Sequence, residues 1–285
     1  TTSGDNNTAI VSQALYENLT GDQNTAVGSG ALNSNTSADY NTAVGYEALE
    51  ANTTGFRNTA VGRRSSYQNT TGSRNVSLGY ASLLNNTTGE NNVAIGYDTL
   101  EANTTASNNV GIGREALTSN TTGANNVAVG SFSLDANTEA DHCTAVGHNS
   151  LTSNTTGAQN NALGSEALST NTTGAGNNAF GRRALINCTT GNSNSAFGHD
   201  SGKDVTTGGN NSFIGNDAGR SSSPSGSVTT GSGVVVLGNN STSSLFCADT
   251  SISSSDSRDK TDITDFTKGL DWIKALRPVT YRWDR

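Results

Sequence analysis

The chain has 285 residues, of which 32% are hydrophobic and 14% charged, with 33 Gly, 2 Pro and a formal net charge of −8. That charge excludes a nucleic-acid partner, which needs a basic face, and no run of about 20 apolar residues exists to cross a membrane as a helix. The apolar content is low for an ordinary globular core, yet charge and Pro are also low for a disordered chain, which leaves a repetitive fold with a thin shared core.

The first residues, TTSGDNNTAI, do not form a signal peptide. The absence of Met points to a segment of a longer gene product.

A period of 17 residues then governs 3–219. Consecutive units read TGDQNTAVGSGALNSNT (20–36), SADYNTAVGYEALEANT (37–53) and TGFRNTAVGRRSSYQNT (54–70); the register holds without a gap through 156–172 and fades at 190–206 and 207–219, giving thirteen units in all. Position 5 is Asn in twelve of the thirteen, with Cys143 the exception, and position 8 is apolar in all of them. Position 9 is Gly in twelve, position 13 is Leu in ten, and position 16 is Asn in the first ten.

Asn, Thr and Gly are poor helix formers, so the unit is not a helical hairpin. The Gly marks a corner of positive φ or of close backbone approach. N-T-A-V-G is expected to be one strand and the region around A-L a second, making each unit one coil of a parallel β-solenoid. Identical residues then stack at the strand spacing of about 4.8 Å, thirteen coils span roughly 60 Å, and the Asn columns become amide ladders.

Both faces of N-T-A-V-G are apolar, so both should be covered. We expect positions 6 and 8 to fill the coil and the small Ala of position 7 to face another chain, at or near the axis of a homo-oligomer. The repeat resembles the left-handed β-roll head of trimeric autotransporter adhesins, and similar units occur in phage tail-fibre shafts. The resemblance implies a homotrimer, with the 17-residue coil lengthened at the A-N-T-T-G corner.

Residues 220–254 read as a Ser/Gly-rich neck with short strands, including GVVVLG. Phe266, Leu270, Ile273 and Leu276 have helical spacing that stops before Pro278, and VTYRW reads as a strand.

This last part, SSDSRDKTDI…GLDWIKALRPVTYRW, resembles the start of the peptidase S74 intramolecular chaperone of phage tailspikes and fibres. The match rests on Ser255, Asp256, Arg258 and Lys260, followed by Leu270, Leu276, Arg277, Pro278, Val279, Tyr281 and Trp283. The resemblance implies that 255–285 begin an α+β chaperone module. It makes Ser255 the nucleophile, Lys260 the base, Asp256 and Arg258 supports of the local geometry, and Ser255–Asp256 the bond cut once after assembly. A serine hydroxyl needs such a base, and a partly desolvated lysine can serve as one.

The fold class is therefore all-β, a homotrimeric parallel β-solenoid followed by a β neck and the beginning of an α+β module. The expected role is structural and adhesive: a virion tail fibre that contacts other tail proteins and a bacterial surface receptor, without membrane insertion. A bacterial trimeric surface adhesin is the alternative, and a tailspike glycan hydrolase a third reading. No cofactor and no metal site is expected.

Other features read as structural. His142, His148 and His199 fall in polar corners, and Cys143 and Cys188 replace Asn in different columns, two coils apart, as free buried thiols. GHDSGKD (198–204) lacks phosphate-loop spacing. The N-T-T triplets match glycosylation acceptors but their regular position favours a ladder. Arg63, Arg64, Arg182 and Arg183 share a corner stripe with Tyr46, Tyr80 and Tyr97, read as solvated or as contacting a glycan. Glu47, Glu50, Asp98 and Glu101 are expected in outward columns without aromatic company, which counts against the hydrolase.

Overall fold

The computed structural model describes residues 3–244, and these form a single-sheet solenoid. Fourteen three-residue strands, from β1 (Thr8–Ile10) through β5 (Val76–Leu78), β6 (Val93–Ile95), β7 (Val110–Ile112) and β13 (Ser212–Ile214) to β14 (Val235–Leu237), pair in strict chain order. All pairs are parallel and in register, so Ala26 lies opposite Ala43 and Val27 opposite Val44. Among the described residues there is no helix.

The first thirteen strands recur every 17 residues, and the last follows after 23. The sheet thus continues past Gly219 into the segment read as neck: β14 pairs with β13 through Phe213–Val236. Residues up to Ser243 form one compact unit.

The second strand expected at A-L is absent. That part of each coil is a turn in which positions 11 and 13 take the left-handed conformation, as at Glu47 (φ 54°) and Leu49 (φ 51°). Alternating the sign of φ coils the backbone tightly and swings Leu inward, while the turn amides still bond the next coil, as Leu49 N–H does to Ser65 O at 3.0 Å.

The faces of N-T-A-V-G are the reverse of expectation. The Ala column is fully buried inside its own coil, from Ala26 to Ala196, as is the Leu column from Leu32 to Leu185. Val, Ile and Leu of position 8 face outward, with Leu78 44%, Ile112 37% and Ile214 51% exposed. The reason is the width of the coil. Leu enters from the opposite wall, so the inward strand position holds a small residue; at Gly111, where Thr99 also points inward, a Cβ would sit 2.7 Å from Thr99 Cγ2 and 3.4 Å from Leu100 Cδ1.

Asn ladders run the length of the stack. At position 16, each Nδ2 donates to Oδ1 of the preceding coil, at 2.8 Å for Asn35 to Asn18 and 2.9 Å for Asn103 to Asn86. At position 5 the ladder is mixed: Asn24 Oδ1 accepts from the Asn41 backbone N–H at 2.9 Å, while Asn24 Nδ2 donates to Ala38 O at 2.8 Å. A buried amide satisfied on both ends avoids the penalty of an unpaired one. Thr of position 17 adds a hydroxyl ladder, Thr53 Oγ1 donating to Thr70 O at 3.0 Å. Asn35, Asn52 and their column mates are at most 1% exposed, so in the folded chain the N-T-T triplets are ladders and not glycan acceptors.

The core is not continuous. One apolar cluster spans Leu15 to Ala60 and another Leu83 to Val236. Between them lies a linked group of buried serines, Ser65, Ser66, Ser77 and Ser82. Ser65 Oγ meets Ser77 Oγ at 2.6 Å and Ser82 Oγ at 3.0 Å, and Ser66 Oγ meets Ser77 Oγ at 2.7 Å. Ser66 stands in the Leu column with the same backbone (φ 51°) and Ser77 in the Ala column. Replacing both by the repeat's own residues, Ser66→Leu with Ser77→Ala, joins the two clusters, while Ser65 keeps Ser77 O at 3.0 Å. Burying one leucine is worth about 2 kcal/mol, so the double variant is expected to unfold at a higher temperature, as scanning calorimetry would show.

Candidate functional site

Ser255, Asp256, Arg258 and Lys260 lie outside the described residues. So do Cys247, the helix expected over 265–276 and the strand at VTYRW. The chemistry-bearing groups among the described residues sit mainly on the turn face of the coils, at positions 10, 11 and 14; a second set at positions 3 and 4 places Arg57 and Arg74 over Phe56 and pairs Arg74 with Glu90.

Arg63 occupies position 10 between Tyr46 and Tyr80, with its guanidinium carbon 5.7 and 5.4 Å from the two ring centroids. Its Nη1 donates to the Tyr80 hydroxyl at 3.0 Å. In the next column Arg64 Nε pairs with Glu47 at 2.7 Å. The Tyr46 hydroxyl, foremost, and Arg64 hold the Glu47 carboxyl below the ordinary carboxylate range. Tyr80 stacks on Tyr97, centroids 5.2 Å apart and planes within 10°. Glu47 and Asp98 therefore do have aromatic company, Tyr46 and Tyr97, contrary to the expectation for these acids.

A cavity of about 590 Å3 opens beside Tyr97, lined by Asp98, Glu101, Arg114, Glu115 and Thr118 of two consecutive coils. Burial, and then the neighbouring Asp98 and Glu115 carboxylates, push Glu101 above the usual carboxylate range. Burial does the same to Asp98.

A second cluster lies near the end of the stack. Buried Asp200 is approached by Arg220 at 3.1 Å, Lys203 at 3.4 Å and Arg183 at 3.6 Å, and Arg220 also pairs with Asp217. His199, Asp200 and Asp217 offer one ligand atom each within 4.8 Å of one another. Three cations already neutralise Asp200, so the geometry is that of an ion-pair staple. Lys203 of GHDSGKD is engaged there too, with Asp200.

His142, His148 and His199 are exposed in the corners, as expected. Cys143 and Cys188 are buried and free. Burial pushes both thiols up to about 11, which leaves them almost wholly protonated and unreactive near neutral pH. Cys143 keeps part of the ladder it interrupts: its N–H donates to Asn126 Oδ1 at 2.8 Å.

One comparison bears on the chemistry of the C-terminal segment. Residues 255–285 match the peptidase S74 family, described as a chaperone of endosialidase. The match takes in the Ser255, Asp256, Arg258 and Lys260 motif and the Leu-Arg-Pro-Val block, 31 residues out of 285, and it concerns that segment alone. No curated protein and no solved structure matches the chain.

The Tyr97 cavity was missed by sequence reasoning. Its signal was present in the columns: Asp98 and Glu115 stack acid on acid at position 11, where Glu47 is followed by Arg64 and Glu166 by Arg183.

Proposed function

We propose that the chain is part of a homotrimeric tail fibre of a virion, used in host attachment, whose C-terminal chaperone module drives trimerisation and cuts itself off at Ser255–Asp256. The observation that carries this reading is an S74 segment directly following a stack of in-register coils. Such a stack needs a device that aligns several chains, because every coil offers its neighbour nearly the same edge, and slow non-local assembly exposes aggregation-prone strands.

The outward aliphatic columns support a trimer. Position 8 carries an apolar side chain in every coil from Ile10 to Leu237, flanked at position 6 by Thr or Val up to Thr144 and by Asn or Ser from Asn161 to Ser212. A continuous apolar stripe on a soluble chain marks an interaction face. A parallel copy meets it with the same side chains at the same spacing, and closed symmetry lets three copies cover one another's stripe. The axis is then lined by Val, Ile and Leu, and the alanines lie within each coil.

In the cleavage, Lys260 takes the Ser255 hydroxyl proton. The Ser255 oxygen attacks the carbonyl of the 255–256 bond in a neighbouring chain, since attack on its own carbonyl would close a strained four-membered lactone. The proton passes to the departing Asp256 nitrogen, and water hydrolyses the ester.

The test is the intact mass of the full-length gene product beside its Ser255→Ala variant. The reading predicts a wild-type fragment ending at Ser255 that the variant lacks. An uncut wild-type chain means a permanent cap and removes the assignment of Ser255 and Lys260.

A further inference from the structure

The interleaving of rings and cations at position 10 changes along the stack. Arg63 fills the space between Tyr46 and Tyr80 and covers the ring face turned to it on either side. Tyr80 then covers one face of Tyr97. The next residue of this column is Arg114, one coil further on, and it lines the cavity together with Tyr97. Arg114 does not close this gap. Its guanidinium lies over Phe132 of the following coil, 5.1 Å from the centroid, and pairs with Glu115 at 2.7 Å. What remains is the cavity of about 590 Å3 between the two coils, within the size range of small-molecule sites.

Its walls define what fits. Tyr97, 49% exposed, offers a flat apolar face. Asp98, Glu101 and Glu115 offer carboxylate acceptors against one guanidinium, so the lining is net negative and rich in acceptors. Asp98 and Glu115 follow one another in the turn column, a like-charge pairing that adds to burial in raising the Asp98 carboxyl and that Arg114, paired with Glu115, only partly offsets.

We infer that this groove binds a neutral hexopyranose saccharide of a cell-surface glycan. The C–H face of the sugar lies on the free face of Tyr97. Its hydroxyls donate to Asp98, Glu101 and Glu115, while Arg114 and Thr118 donate to sugar oxygens. Sialylated and phosphorylated saccharides are repelled by the same carboxylates. The inference deepens the attachment reading and rests on it: a fibre at a cell surface meets saccharide first.

The experiment is binding of the purified full chain to an array carrying neutral, amino, sialylated and phosphorylated saccharides, followed by calorimetry with the strongest neutral one. Neutral saccharides are expected to bind. Tyr97→Ala should weaken binding roughly tenfold, while Tyr97→Phe, which keeps the stacking face, stays within about twofold. Glu101→Gln should weaken it while leaving the circular dichroism spectrum unchanged. Failure of every neutral saccharide to bind, preference for charged ones, or a Tyr97→Ala variant equal to wild type overturns the groove. Loss of binding with a trimer and Ser255 cleavage intact overturns the groove alone. A monomeric, uncut chain that still binds the saccharide overturns the fibre reading and leaves the groove.

Discussion

Replacing Gly96 by alanine is expected to break the stack between β6 and β7. Gly96 has φ +140°, a conformation that costs a residue with a Cβ about 1–3 kcal/mol by itself. A Cβ there would also meet Gly113 O directly, lie 2.7 Å from Gly113 C and lie 2.7 Å from Thr99 Oγ1. The first two are backbone atoms of the next coil and cannot rotate away. Relief requires the coils to separate, which breaks bonds such as Gly113 N–H to Ile95 O at 2.8 Å. The total loss is expected to exceed about 3 kcal/mol. Because stability in a repeat stack is a sum of nearest-neighbour terms, the damage is local. Hydrogen exchange should accelerate in β6 and β7 before it does in distant coils, and denaturant unfolding should begin earlier. Protection equal to wild type in these strands would show that the close approach is not a constraint.

The second large effect lies where the core pattern is exchanged. In the last coils Leu of position 13 becomes Gly202 and Gly219, while Ala of position 7 becomes Phe213. Phe213 is fully buried and fills the volume the leucines vacate: a Cβ on Gly202 would lie 2.8 Å from Phe213 Cδ2, and one on Gly219 would touch Cδ1. Phe213→Ala removes the ring with no neighbour able to take its place, and a loss of about 3–5 kcal/mol is expected. Adding Gly202→Leu should recover part of it. Gly202 has φ 62°, close to the 51° of Leu185, so the backbone accepts the leucine once the far end of the Leu185 side chain, 2.8 Å from a Cβ there, turns aside. A double-mutant cycle in urea checks this, since the leucine alone should destabilise and the pair should couple favourably.

Much of the fold was legible because a 17-residue period with strongly patterned columns allows few stacking arrangements. Asn at positions 5 and 16 announced ladders, and Cys143 and Cys188 announced buried thiols. The direction of the N-T-A-V-G strand was not legible. An alternation of two assigns residues to opposite faces but does not say which face is inside when both are apolar. The deciding fact was the reach of Leu from the opposite wall, which is a property of the closed coil. The false second strand at A-L has a related cause: Leu seldom adopts positive φ, so nothing in its identity signals a left-handed turn. The 23-residue step into β14 was hidden by the Ser and Gly of 220–233.

The candidate groove was half legible. The acids and tyrosines could be placed on outward corners from the columns alone. That Arg63 covers its neighbouring rings while Arg114 turns to Phe132 depends on which partner each long side chain finds. The corner stripe thus has two behaviours, a sealed cation–aromatic stack around Arg63 and an open face at Tyr97, from residues of the same types.

The account places three aliphatic stripes against one another, and sedimentation equilibrium of the full chain tests this most directly. The Ser255→Ala variant keeps the chain in one piece. It should sediment at about three times its 29.1 kDa mass, and adding Val129→Lys, on the outward face of a central coil, should convert it to monomer with the β signal intact. A 29.1 kDa species before the lysine is introduced, or a trimer indifferent to it, would contradict the account.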